Sequence, residues 1–137
     1  MDRESLLKTI IAALGTAATY LWGGWDAVLK ALVTLAVIDY ISGVAAAWVG
    51  RRLSSEAGAR GIARKVGMFA VVAVCHIIDQ TGGLGQPILR SVAAWWYVAN
   101  EAISVIENFA EIGVPVPERI TRALAVWRDS GETERGP

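Results

Sequence analysis

Charged residues are scarce along most of this chain and gather in a few short segments. Residues 5–22 are interrupted only by Lys8, residues 27–49 carry only Lys30 and Asp39, and residues 66–78 carry no formal charge. Residues 88–112 form a fourth, longer apolar stretch in which polar side chains return at regular intervals. A helix needs ~20 residues, with a range of ~17–25, to cross a hydrocarbon core. The second stretch passes that length easily, and the first just meets it. The third does so only when extended to residues 62–80, which leaves a re-entrant or protein-buried helix open there. The pattern therefore predicts an all-α integral membrane bundle of three to four membrane helices, at residues 5–22, 27–49, 62–80 and 88–112 of a membrane domain spanning 1–112.

The pattern changes after residue 112. Gly113-Val114-Pro115-Val116-Pro117 cannot continue a helix, because the two prolines lack amide donors and bias the residues before them to extended backbone. Beyond it Ile120, Leu124 and Trp127 fall at i, i+4 and i+7, so residues 113–128 read as a short cytoplasmic amphipathic helix on the membrane surface or a neighbouring subunit. Residues 129–137 are polar and read as a disordered tail. At the other end, Met1-Asp2-Arg3-Glu4 is mixed in charge where a cleaved leader is basic, so the first helix reads as retained.

Composition sharpens this picture. In 137 residues, 54% are hydrophobic, and the mean hydropathy is +0.43, as expected of a membrane protein. The 13 basic and 13 acidic residues cancel, which removes any general attraction to nucleic acid. The single cysteine, Cys75, excludes a disulfide scaffold and a cysteine-rich zinc site. With one histidine, no metal-ligand spacing, no phosphate loop and no nucleophile beside a base, no enzyme, metal or cofactor is expected. Orientation follows from a basic segment holding Arg51, Arg52, Arg60, Arg64 and Lys65 against Glu56 alone, whereas residues 80–87 hold no lysine or arginine. The positive-inside rule then puts this basic loop, and with it the C-terminus, in the cytoplasm. Trp22 and Trp25 flank the opposite turn and Trp48 the basic end, as interfacial tryptophans do.

Candidate chemistry lies inside the spans. At 1.5 Å per residue, Asp39 falls ~18 Å from Arg51, His76 ~16 Å from Lys65 and Glu101 ~18 Å from Gly113, which places three ionisable groups near one level. A lone charge at that depth costs at least ~2.5–3.5 kcal/mol, so each needs a partner or water. One reading pairs Asp39 with His76 to hold the bundle together. Another has the layer line or gate a pore assembled from several copies. In the fourth stretch Tyr97, Asn100, Glu101, Ser104, Glu107, Asn108 and Glu111 form one polar stripe, opposite Val98, Ala102, Ile103, Val105, Ile106 and Phe109. That stripe is either buried against the other helices or turned to water between copies. A single bundle offers few cations for three glutamates, which favours water. Ser42 with Ala46 and Gly43 with Ala47 are small pairs four apart, suited to close helix packing.

Several of these segments together resemble the toxin-secretion/phage-lysis holin family. The resemblance runs over residues 25–124. It rests on Asp39-Tyr40-Ile41-Ser42-Gly43, on Leu53-Ser54-Ser55 with Gly61-Ile62-Ala63-Arg64-Lys65, and on His76-Ile77-Ile78-Asp79. Most specific is Asn100-Glu101-Ala102-Ile103-Ser104-Val105-Ile106-Glu107-Asn108 with the Gly113–Pro117 segment after it. The resemblance implies a small protein of the bacterial cytoplasmic membrane that accumulates, forms homo-oligomers among membrane lipid, and opens lesions. Those lesions would release an endolysin or a toxin, under possible restraint by an antiholin, without covalent chemistry. One departure is the tail: such tails are usually strongly basic, whereas residues 114–137 hold four arginines and four acids. Two rival readings fit the same composition, a small ion-coupled transporter and an antiholin or other regulatory membrane protein.

Overall fold

The computed structural model describes residues 2–83 and 85–133, which form five helices and no strand. They are α1 (Arg3–Trp22), α2 (Ala27–Val49), α3 (Ser55–Thr81), α4 (Ile88–Ile112) and α5 (Glu118–Thr133). Local chemistry starts three of them. Asp2 accepts from the Ser5 amide at 2.9 Å, Asp26 from Leu29 at 3.0 Å and Ser54 from Ala57 at 3.3 Å. Each side chain satisfies an amide that the first helical turn leaves without a carbonyl. The start of α4 is capped from elsewhere: Asp79, near the end of α3, accepts from the Leu89 and Arg90 amides at 3.0 and 2.9 Å.

Helix α3 begins at Ser55 rather than near residue 62. The Ser54 cap, with Glu56 in the positively polarised first turn, nucleates the helix early. Arg60, Arg64 and Lys65, read from sequence as part of a basic loop, therefore stand on a helix, while Arg51 and Arg52 remain in the connection. At the other end of the chain, α5 runs on to Thr133, so residues 129–133, read as tail, are helical; no proline interrupts them. Residues 134–137 of that tail lie outside the described residues, as do the side chains of Leu124 and Trp127.

Helices α1, α2 and α3 are each long and apolar enough to cross a membrane. Helix α4 has the length, 25 residues, but its polar stripe makes it less apolar than these three. It packs chiefly along α2 and then α3, and α1 rests mainly on α3. Leu32, Ala36, Met68, Val72 and Ala94 make the buried core, flanked by Trp22, Phe69 and Val98. Outside it the apolar surface faces outward: α1 has no buried residue, and Ile41 on α2 is 63% exposed. Apolar surface on this scale suits hydrocarbon and not water. The hydroxyls on α1 fit such a setting, because Thr9, Thr16 and Thr19 each donate to the carbonyl four residues back, at 2.8–2.9 Å.

Helix α1 ends at Gly23, in the left-handed region at φ +76°. A Cβ there would lie 2.7 Å from Cε1 of His76, so the turn uses both the glycine's conformational freedom and its lack of a side chain. Gly23→Ala is expected to destabilise the folded protein by at least about 1–2 kcal/mol, the left-handed penalty of a residue with a Cβ. Unfolding in detergent reads this out, and unchanged stability would contradict the contact between Gly23 and His76.

Candidate functional site

The polar groups inside the bundle meet at one level. Lys65 of α3 extends its ammonium between Asp39 of α2, at 2.6 Å, and Glu101 of α4, which it also contacts. Asn108, two turns further along α4, donates to Asp39 Oδ1 at 3.0 Å, to the Asp39 carbonyl at 3.2 Å and to Ser42 Oγ at 3.0 Å. At 1.5 Å per residue Asp39, Lys65 and Glu101 stand ~15–17 Å from the helix ends at Val49, Ser55 and Ile112. The shared level follows from topology, since α2 and α4 run parallel and pack directly together, and α3 runs antiparallel along α4. The cluster leaves two carboxylates with one ammonium. Each charge gains a partner, yet one negative charge remains in excess, in a region where charge is costly.

A cleft of about 470 Å³ opens beside this triad, with Tyr40 and Gly43 of α2, Gly61 and Arg64 of α3, and Asn100 and Ser104 of α4 on its walls. Tyr97, Lys65, Glu101 and Asn108 also line it. At its exposed rim Arg52 pairs with Glu111, joining the connection after α2 to the end of α4. Of the remaining stripe, Glu107 is exposed. Arg51 is exposed too, at φ +54°, and Arg60 stands 3.6 Å from Glu56 on the exposed side of α3. Ser42 and Ala46 are buried, and Gly43 and Ala47 half-buried, along the face of α2 that meets α4.

His76 does not join the triad, and no Asp39–His76 pair forms. Taking Lys65 as the helix boundary puts His76 at the level of Asp39. The helix begins ten residues earlier, at Ser55, so His76 stands ~32 Å from that end and only ~8 Å from Thr81. There it packs against Gly23, and its Nδ1 is buried without a hydrogen-bond partner among the described residues. A smaller recess, about 290 Å³, opens beside it between Thr19 and Tyr20 of α1 and Gln80 and Thr81 of α3. The cation that serves the layer is Lys65, whose long stem carries the charge inward from a helix position that looks like a loop in the sequence.

A second polar knot, which the sequence reading missed, ties the opposite helix ends together. Arg90 is only 4% exposed. Its two terminal nitrogens reach Asp26 Oδ2 at 2.8 Å and Oδ1 at 3.1 Å, and its Nε donates to the Trp22 carbonyl. With Asp79, itself 2% exposed and capping α4, this knot joins the end of α1, the start of α2, the end of α3 and the start of α4. Trp22 adds a hydrogen bond of 2.9 Å from its indole to the Phe69 carbonyl and an edge-on contact with the Phe69 ring. The one signal in the sequence was an arginine alone inside the fourth apolar stretch.

The Arg90 hydrogen bond holds the Asp26 carboxyl below its ordinary pKa of 3.8, against the opposing effect of desolvation. A depressed carboxylate contributes stability above its unfolded pKa and loses it as pH falls through the folded one. Acid unfolding of the wild type should therefore show a loss below about pH 4 that Asp26→Asn removes. Parallel acid limbs for the two proteins would contradict the pairing.

Comparison with known proteins gives a consistent set of relatives. The bacteriophage holin family matches residues 16–129. The chain is 39% identical to an uncharacterised protein of Halalkalibacterium halodurans, over 91% of this chain and 96% of that one. It is 36% identical to an uncharacterised 14.9 kDa protein of Clostridium perfringens, over 86% and 89% of the two chains. It is 38% identical to a probable holin of Bacillus phage phi105, over 83% of each. No solved structure matches the chain.

Proposed function

The chain belongs to the bacteriophage holin family, and we propose that it acts as a holin, accumulating and oligomerising in the bacterial cytoplasmic membrane until it opens lesions there. The observation that carries this reading is the polar face of α4. In one copy Glu101 contacts Lys65, which it shares with Asp39, and Glu111 pairs with Arg52 at the rim of the cleft. Such a face is satisfied while the bundle is closed, and it turns to water when copies come together. Lesions of that origin release an endolysin or a large toxin, and the protein itself performs no covalent chemistry. A copy that inserts but does not open would restrain its neighbours as an antiholin.

In this reading α1, α2 and α3 span the membrane, and α4 crosses with its stripe turned inward. The Arg51 end and the C-terminus lie on the cytoplasmic side, which the excess of arginines between α2 and α3 supports. Asp39, Glu101 and Asn108 keep the closed bundle together, while Tyr97, Asn100, Ser104, Glu107 and Glu111 provide the surface that lines water after opening. His76 lies outside that lining. The buried face of Ser42, Gly43, Ala46 and Ala47 lets α2 and α4 approach closely enough for Asn108 to reach Asp39.

Inducible expression in a bacterial inner membrane tests the proposal, with membrane potential, viable count and release of a co-expressed cytosolic enzyme followed together. Abrupt killing with enzyme release, after a lag set by expression level, is expected. Slow depolarisation without enzyme release would overturn it in favour of a small ion-coupled transporter. Asn100→Leu combined with Glu107→Leu should insert normally and release no enzyme. Release at the wild-type rate from that double variant would remove the α4 face from the mechanism.

A further inference from the structure

We propose that the rim of the cleft between α2, α3 and α4 binds the phosphodiester headgroup of an anionic phospholipid, with Arg52 and Arg64 as its cationic walls. Residues 51–65 hold five cations, Arg51, Arg52, Arg60, Arg64 and Lys65, against Glu56 alone, in a chain whose 13 basic and 13 acidic residues cancel as a whole. The structure accounts for part of that excess. Lys65 is taken up by Asp39 and Glu101, Arg52 shares Glu111, and Arg60 leans towards Glu56. Among the described residues no carboxylate forms an ion pair with Arg51 or Arg64. Of the two arginines on the cleft lining, Arg64 is therefore the one left without an ion-pair partner among the described residues.

Geometry selects the ligand. Arg52 and Arg64 are exposed yet line the same cleft from two elements, and Tyr40 and Ser54 line it as well. Planar guanidinium forks match pairs of phosphate oxygens. Leu53, 59% exposed, lines the cleft, and Trp48, 71% exposed, stands near the end of α2, the apolar-polar mixture found at headgroup depth. The carboxylates at the cleft floor keep an anion from going deeper, so a phosphate stays at the rim and its acyl chains remain outside along the bundle. A net negative lipid is favoured over a zwitterionic one, whose own ammonium offsets the attraction.

This inference rests on the Arg51 end lying at the membrane surface. It is read on the folded protein in detergent, so it holds or fails apart from lesion formation. The purified chain is titrated with phosphatidylglycerol, phosphatidylcholine or inorganic phosphate, and bound lipid is counted by native mass spectrometry. Phosphatidylglycerol should bind, phosphatidylcholine should bind weakly, and inorganic phosphate should not displace the lipid. Arg64→Gln should weaken binding by about fivefold, the effect of one surface charge. Glu111→Gln, which releases Arg52, should strengthen binding, and Arg60→Gln should leave it unchanged. Equal weakening by Arg60→Gln would reduce the site to diffuse attraction, displacement by inorganic phosphate would make it a free-anion site, and no effect of Arg64→Gln would remove it. Circular dichroism establishes that each variant is folded.

Discussion

Lys65→Met is expected to destabilise the closed bundle by about 3–5 kcal/mol, the cost of breaking a buried ion pair by removing one partner. The side chains of Lys65, Asp39 and Glu101 are only 18%, 15% and 13% exposed. Without the ammonium, two carboxylates face each other inside the bundle, and among the described residues the Asn108 amide, which reaches Asp39, is their one remaining side-chain donor. The loss comes from uncompensated charge and not from lost volume, since methionine fills nearly the same space. A triple variant that adds Asp39→Asn and Glu101→Gln should therefore recover most of the stability, because neutral partners replace an ionic cluster at little net cost. Denaturant unfolding in detergent separates the cases. A triple variant as unstable as Lys65→Met would show that the lysine acts through packing and that the triad is not an electrostatic unit.

Arg90→Met should be the second most damaging change, at about 2–3 kcal/mol, in the range of losing one hydrogen bond between charged groups. Here the partner is less deeply enclosed: the Asp26 side chain is 51% exposed and can be rehydrated once the arginine is gone. The Trp22 carbonyl, by contrast, loses its guanidinium donor in a half-buried setting. Helix α1 has no buried residue of its own, so loosening this knot should free α1 before the rest of the bundle. Hydrogen exchange checks that order, with α1 and the first turn of α2 losing protection in Arg90→Met while the Leu32–Val72 core keeps it. Uniform loss across all helices would mean that the knot is one part of a single cooperative unit.

How much of this was legible in the sequence depended on how far apart the interacting residues lie. The extents of α1, α2 and α4 follow from mainly apolar stretches with few charges and from the breaks at Gly23 and Gly113. The start of α3 was not legible, because Arg60, Arg64 and Lys65 read as a loop when charge alone is considered. The Ser54 cap and Glu56 were the better guide there. That error moved the depth count by ten residues, which exchanged Lys65 for His76 in the polar layer. Asp39 and Glu101 were placed at the right level because the ends of their helices were placed correctly. The knot around Arg90 could not be derived from pattern: its ion pair with Asp26 links residues 64 apart, across helices whose order in space the periodicity does not give.

The central claim is that the polar face of α4, enclosed beside the triad in one copy, comes to line water when lesions open. Ser104→Cys in a Cys75→Ser background tests it, with a water-soluble thiol reagent supplied to both sides of the membrane before and after enzyme release begins. Ile41→Cys, on the exposed apolar face of α2, serves as the lipid-facing control. The account predicts that Ser104→Cys reacts slowly at first and much faster once release begins, while Ile41→Cys stays slow throughout. Enzyme release with no change in the reactivity of Ser104→Cys would contradict it.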